Sequence, residues 1–302
     1  MSKIPVWPTI AASYRFVFAN YVSLFGAVWL PLVISNVYSY FFTLPYLKRL
    51  GEALQSNDAA ALTVASRDAF PSNLVFGALS LVVMAAISVG VTKEVQGSRE
   101  RPLSVYFAFG KAELRVMGGY LLILVCGIAY ILSGAFIIGS LVYLVLMVST
   151  GSGNSLTPVV IYNSIQPYLI FAVEVSYFYF VVRLMSFMTV VTVTEMRFGL
   201  WRSWELSKGN VLALIAITLA AVVPVFVCQI VLGLAAFVPA LSHMSGLVSS
   251  NPTVTIGIAI QSLVPYVPWL WLAQLIAAPI LYGLYIAPAV FAYRALLQNQ
   301  TV

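Results

Sequence analysis

Two charged residues, Glu174 and Arg183, interrupt one long apolar stretch of the sequence. If that stretch crosses a membrane, each ionised side chain costs at least about 2.5 kcal/mol unless it is paired, hydrated or close to the lipid headgroups. On one α-helix the two residues lie about 13 Å apart and on opposite faces, so they do not pair with each other. Each of them therefore requires another partner.

Two amides, Gln229 and Gln274, stand in later apolar stretches at about the depth of Glu174, if the stretches are counted from their cytoplasmic ends. With Glu174 they could line a hydrated path for a proton or a solute. They could equally form hydrogen bonds between helices, at about 0.6 kcal/mol each. We expect Arg183 to reach a backbone carbonyl or lipid headgroups rather than a substrate. Together these four residues are the candidate intramembrane polar site.

The remaining reactive residues do not form a catalytic set. His243 is the only histidine, and we expect it to lie in a neutral external loop. Cys126 and Cys228 fall inside apolar stretches, where packing is their expected role. We therefore expect no catalytic residues, no metal site and no cofactor, and we interpret the chain as a protein that is not an enzyme.

The composition places most of the chain in lipid. Of the 302 residues, 62% are hydrophobic and 8% are charged, whereas about a quarter of a soluble domain is charged. A membrane span needs about 20 mostly apolar residues. We predict an all-α integral membrane protein, formed by a single polytopic membrane domain over residues 1–302. Its six spans cover about residues 16–42, 73–91, 116–148, 161–192, 211–238 and 263–293.

The distribution of positive charges predicts the orientation of the chain. Eleven of the fifteen Lys and Arg residues fall at the two termini and in the segments 92–115 and 193–210, and three fall on the opposite side. Positive segments stay in the cytoplasm, so both termini should be cytoplasmic. The scattered charges exclude a nucleic-acid partner. We expect segment 47–70 to be a solvated external connector that could contain a short surface helix near residues 59–62, with a contact surface as the alternative.

The sequence also suggests a threefold organisation. Mixed aromatic and charged stretches precede the spans that begin near Asn20, Val116 and Val211, which are 96 and 95 residues apart. This spacing predicts three units, each an amphipathic helix followed by a helical hairpin. The aromatic helices would form an interfacial belt on the cytoplasmic side, which anchors the protein or contacts lipid or a partner.

One of these stretches contains a distinctive motif. It consists of Ser203, Trp204, Leu206, Ser207, Lys208, Gly209 and Asn210. Gly209 and Asn210 tolerate the left-handed backbone conformation that ends a helix, so the motif predicts a short helix followed by a sharp turn into the next span at Val211. This interpretation requires no chemistry.

The same residues resemble the membrane-domain family associated with glycerophosphoryl diester phosphodiesterases and its stand-alone relatives. That family carries the pattern Ser-Trp-x-Leu-Ser/Thr-Lys/Arg-Gly-Asn before a late helix, and Arg183 and Glu195 stand upstream in a similar context. The chain has no counterpart of the soluble phosphodiesterase barrel. The resemblance therefore implies a fold and a multi-pass location in the bacterial inner (cytoplasmic) membrane, without hydrolase activity.

Two functions remain open on the sequence. The first is a non-catalytic inner-membrane protein that acts as an accessory, scaffold or lipid-interacting subunit. Its partners would be membrane lipids, with a protein partner or a homo-oligomer as further candidates. The alternative is a small-solute or lipid transporter that uses Glu174, Arg183 and proline-broken helices.

Overall fold

A computed structural model describes residues 3–99, 106, 108–150, 157–244 and 251–298, and for residues 138, 141–150, 157–166, 222, 232 and 235–244 it describes only the backbone. All regular secondary structure in these residues is helical. The α-helices are α1 Val6–Ala19, α2 Tyr21–Tyr38, α3 Leu44–Gln55, α4 Ala59–Gln96, α5 Lys111–Thr150, α6 Thr157–Thr194, α7 Leu200–Ser207, α8 Val211–Met244, α9 Pro252–Leu263 and α10 Val267–Gln298.

Six stretches of helix are long and apolar enough to cross a membrane. They are Tyr21–Gln55, Ala59–Gln96, Lys111–Ile137, Pro167–Thr194, Val211–Val231 and Pro252–Gln298. The predicted all-α membrane architecture with six spans is thus confirmed. Six crossings would place α1 and the end of α10 on the same side of the membrane.

The first apolar stretch begins later in the structure than the sequence predicts. The break is at Asn20, whose backbone leaves the helical conformation at φ −114° and ψ 26°. Its side-chain amide donates a hydrogen bond to the Phe16 carbonyl at 2.9 Å, and this carbonyl also accepts from the Asn20 backbone amide. α1 therefore packs as a separate helix against α10, and the span begins with α2.

Two segments that the sequence predicts as external loops are largely helical. Segment 47–70 contains the end of α3 and the start of α4, and the Asp58 carboxylate caps α4 by accepting hydrogen bonds from two backbone amides. α8 extends to Met244, so position 243 is helical rather than part of a loop. In segment 47–70 only residues 56–58 separate the two helices, and the Asp58 cap favours the start of α4 there.

The C-terminal parts of α4, α6 and α10, the second helix of each hairpin, meet in the core. Val91, Val191 and Val290 are completely buried in one cluster there. Three hydrogen bonds connect the same helix ends in a cyclic order. Gln96 donates to Thr194 at 2.7 Å, Tyr293 donates to Glu195 at 2.9 Å, and Arg294 donates to the Val95 carbonyl at 3.2 Å.

The segment before each hairpin packs on the second helix of another hairpin. α7 packs on α6, and α1 packs on α10. Tyr106 takes the corresponding place on α4, since a Cβ atom on Gly90 would lie 2.8 Å from the Tyr106 ring. These contacts agree with three successive units. The first and third units begin with a separate helix, as the spacing predicts. Before α5, the described residues 106 and 108–110 form no helix, so the amphipathic helix predicted for the second unit is not seen there.

α3 and α9 pack closely on the side of the bundle away from this ring of hydrogen bonds. A Cβ atom on Gly257 would lie 2.8 Å from the Gly51 carbonyl oxygen and would also meet the backbone of Gln55. We expect Gly257→Ala to lower the free energy of unfolding by about 1–3 kcal/mol, because backbone atoms cannot rotate away. Thermal unfolding in detergent, followed by circular dichroism, measures the change.

Gly77 is the matched control, because it also lies in a helix but a Cβ there would meet nothing within 4 Å beyond the nearby backbone of its own helix. Gly77→Ala should leave stability unchanged or raise it by about 0.5–1 kcal/mol. Equal stability of the two alanine variants would contradict the close packing of α3 on α9.

Candidate functional site

The four residues of the candidate intramembrane polar site do not lie together. Arg183 is buried, whereas Glu174, Gln229 and Gln274 are exposed on the outside of the bundle. Within the part of the chain that the structure describes, these four residues form no hydrogen bond with one another. The structure therefore brings none of the three outward-facing residues to Arg183.

Arg183 contacts the predicted motif instead. Its Nε donates to Ser207 Oγ at 3.2 Å, and its Nη2 donates to the Trp204 carbonyl at 2.8 Å. Its third hydrogen bond runs from Nη1 to the Tyr179 hydroxyl at 3.2 Å. The guanidinium carbon lies 3.5 Å from the centroid of the Trp204 ring. Hydrogen bonds and a cation–π contact thus compensate a buried charge.

Ser203 connects α7 to the backbone of α6. Its hydroxyl donates to the Arg183 carbonyl at 2.9 Å and accepts from the Phe187 amide at 3.1 Å. A regular α-helix joins such a carbonyl and amide directly. Gly199 permits the close approach, because a Cβ there would collide with the Met188 carbonyl. α7 is therefore attached along the last turns of α6.

The end of the motif forms the predicted turn. Gly209 has a positive φ of 79°, and α8 begins at Val211. The Asn210 side-chain oxygen accepts a hydrogen bond from the Ile4 amide at 3.1 Å, which ties the N-terminal segment to the start of α8. Leu206 is buried in the core and Lys208 is exposed. In the structure the motif holds helices together.

A second charged cluster surrounds Tyr106, near the start of α5. The Tyr106 hydroxyl donates to Glu113 at 2.5 Å and accepts from Lys93 Nζ at 2.8 Å. The Tyr106 amide also donates to the Gly26 carbonyl inside α2 at 2.9 Å. Burial, followed by the hydrogen bond to Glu113, raises the pKa of Tyr106, so its phenol stays protonated and remains a donor.

A third polar group joins α4 to α2. The Arg99 guanidinium pairs with the Glu94 carboxylate at 3.2 Å, and both side chains are more than nine-tenths buried. Ser23 Oγ donates to the other Glu94 oxygen at 2.6 Å. Arg99 also donates to the Ser23 carbonyl at 2.8 Å. The sequence indicated neither cluster, because acids near a loop are usually solvated.

A cavity of about 310 Å³ lies between α6, α8 and α10. Its lining consists of Tyr120, Phe178, Val181, Val182, Met185, Ser186, Thr189, Val190, Leu214, Ile217, Thr218, Leu219, Ala221, Tyr285, Ile286, Pro288 and Ala289. Most of these side chains are apolar, and none is charged. We call this space the lateral cavity.

The lateral cavity is accessible from the outer surface of the bundle. Three of its lining residues are exposed, with 44% of Phe178, 50% of Leu219 and 46% of Tyr285 accessible. These residues belong to three helices that are long and apolar enough to cross a membrane. The cavity therefore opens on the surface of helices that are apolar enough to face lipid.

The cavity occupies one of three junctions between successive hairpins. At the α4–α5 junction the Tyr120 hydroxyl lies 2.7 Å from Ser88 Oγ. At the α10–α2 junction Val17 of α1 and Leu24 of α2 fill the space beside Gly283. At the α6–α8 junction small side chains, Ser186 and Ala221, face the open space. The cavity thus results from which side chains are present at this junction.

Among the described residues, no group of three His, Cys, Asp or Glu side chains could hold a metal ion. Comparison of the chain with protein-family models, curated proteins and solved structures finds no match. The resemblance of the Ser203–Asn210 motif stays a prediction. Function is therefore inferred from the geometry of this chain alone.

Proposed function

We propose that the protein is a non-catalytic, multi-pass protein of the bacterial inner membrane that binds lipid, and that the lateral cavity holds one aliphatic chain. One observation carries this proposal: an uncharged, mostly apolar cavity that is accessible from the apolar surface of the bundle. Ligand pockets usually measure about 300–1,000 Å³. A volume of about 310 Å³ lies at the lower end, which suits part of a lipid rather than a whole one.

The driving force would be the packing of a lipid chain against the cavity wall. A void without partner atoms forfeits dispersion contacts on one side, and a lipid chain restores them. The exposed Trp7 and Trp201, on α1 and α7, support an interfacial belt on the side that we expect to be cytoplasmic. Both chain termini would lie on that side.

The transporter alternative has weaker support. Three groups of the Arg183 guanidinium are already hydrogen-bonded to Ser207, Trp204 and Tyr179. Glu174 is exposed on the outside of the bundle and does not line the lateral cavity. A scaffold or accessory role, with a protein partner or a second copy of the chain, remains compatible with lipid binding. Native mass spectrometry of the protein extracted with its membrane lipids would detect such partners.

A cavity-filling substitution tests the lipid site. We expect Ala289→Phe to place a ring in the lateral cavity and to reduce labelling by a photoreactive acyl lipid at least about tenfold, which corresponds to 1.4 kcal/mol. The measurement is photo-crosslinking of the purified protein in nanodiscs, followed by peptide mass spectrometry of α6 and α8.

Ala216→Phe is the matched control, since Ala216 is exposed on α8 and does not line the cavity. This variant should be labelled as strongly as the unmodified protein. Undiminished labelling of the Ala289→Phe variant would overturn the proposal.

A further inference from the structure

We infer that the lateral cavity takes a neutral lipid that bears a hydroxyl or ester oxygen, such as a monoacylglycerol, in preference to a plain hydrocarbon or a lipid with a charged headgroup. This inference rests on the proposed function and specifies the ligand class. It is carried by the side chains that line the cavity.

The cavity offers no partner for a charged headgroup. Its lining contains no Lys, Arg, His, Asp or Glu. Arg183 follows the cavity-lining Val182 in α6 and is buried. Its guanidinium donates to Ser207 and Trp204 of α7. An ionised headgroup inside the cavity would therefore be both desolvated and unpaired, which is strongly unfavourable.

Two hydroxyls of the cavity wall are free to bind a ligand. Three others are engaged, because Ser186 donates to the Val182 carbonyl and Tyr120 lies between Ser88 and Thr189. Thr218 and Tyr285 also line the cavity, and neither hydroxyl forms a hydrogen bond with any residue that the structure describes. Polar groups in a membrane interior require partners, so these hydroxyls favour a ligand with its own oxygen atoms.

The depth of Thr218 agrees with a neutral polar group. Thr218 is seven residues after the start of α8 at Val211, which is about 10 Å along the helix. A phosphate at that depth would be removed from the hydrated interface. An ester or hydroxyl group can be accommodated there if Thr218 and Tyr285 supply hydrogen bonds.

The test compares three probes that share an alkyl chain of similar length: monooleoylglycerol, oleoyl lysophosphatidate and octadecene. Binding to the full-length protein in nanodiscs would be measured by competition with the photoreactive acyl lipid. We expect monooleoylglycerol to bind at least about tenfold more tightly than either of the other probes. Equal binding of all three would overturn the inference.

A near-isosteric double variant, Tyr285→Phe with Thr218→Val, isolates the hydroxyls. We expect it to bind monooleoylglycerol about tenfold more weakly and octadecene unchanged. Tyr40→Phe is the control, because Tyr40 is exposed outside the cavity. If the double variant keeps its preference for monooleoylglycerol, the inference fails. If Ala289→Phe binds every probe like the unmodified protein, the proposed lipid site fails instead.

Discussion

Arg99→Met is expected to lower the free energy of unfolding by about 3–5 kcal/mol, because it leaves a buried carboxylate without its counter-ion. Glu94 and Arg99 are 3.2 Å apart, and their side chains are only 8% and 4% exposed. The substitution would also remove the hydrogen bond from Arg99 to the Ser23 carbonyl. Thermal unfolding in detergent and the yield of monodisperse protein measure the loss.

Arg49→Met provides a matched comparison at an exposed ion pair. Arg49 and Asp68 are 3.9 Å apart, with 61% and 57% of their side chains exposed. Exposed pairs contribute about 0–1 kcal/mol, so this variant should unfold close to the unmodified protein. If Arg99→Met is as stable as Arg49→Met, the Glu94–Arg99 pair does not hold α4 to α2.

Arg183→Met is expected to have the second large effect, a loss of about 3 kcal/mol in the free energy of unfolding. Hydrogen bonds to a charged group contribute about 1.5–3 kcal/mol each, although such contributions do not add fully. The variant would also lose the contact of the guanidinium with the Trp204 ring. We expect α7 to loosen from α6, which hydrogen exchange of residues 200–207 would detect.

Two further variants make this prediction specific. Arg183→Lys keeps the charge but cannot reproduce three directed hydrogen bonds and ring stacking, so it should recover only part of the stability. Glu174→Gln is the control within the same helix, because Glu174 is exposed, and it should unfold normally. An Arg183→Met variant with normal unfolding and normal protection of α7 would contradict the role assigned to Arg183.

Substitutions of Arg183 and Glu174 also distinguish the proposed lipid-binding protein from a transporter. If Arg183 stabilises the packing of α7, its substitution should alter stability before it alters any transport. A variant that folds normally but loses movement of a solute would instead favour the transporter. Glu174→Gln, which we expect to fold normally, is the decisive variant for that comparison.

Some parts of the site could be derived from local sequence. The helix-ending turn at Gly209 was predictable because glycine adopts a positive φ without steric cost, and the structure has φ 79° there. The expectation that Arg183 reaches a backbone carbonyl agrees with its hydrogen bond to Trp204. Both features depend on the residue type at one position.

Other parts could not be derived from sequence, because they join residues far apart in the chain. Tyr106 reaches Gly26, and Asn210 reaches the Ile4 amide. Glu94 and Glu113 resemble ordinary loop-flanking acids, yet both are buried. Conversely, residues predicted at the same depth in the membrane need not face one another. Glu174, Gln229 and Gln274 all face outward.

The sequence by itself determined that this is an all-α membrane protein with six apolar spans, because backbone groups in lipid must be paired within each helix. That requirement acts locally and is therefore visible in composition and length. Only the tertiary structure decided that Arg183 anchors α7 and that the α6–α8 junction stays open beside Ser186 and Ala221. Whether a junction closes depends on how side chains from different helices fill the same volume, and no single stretch of sequence contains that information.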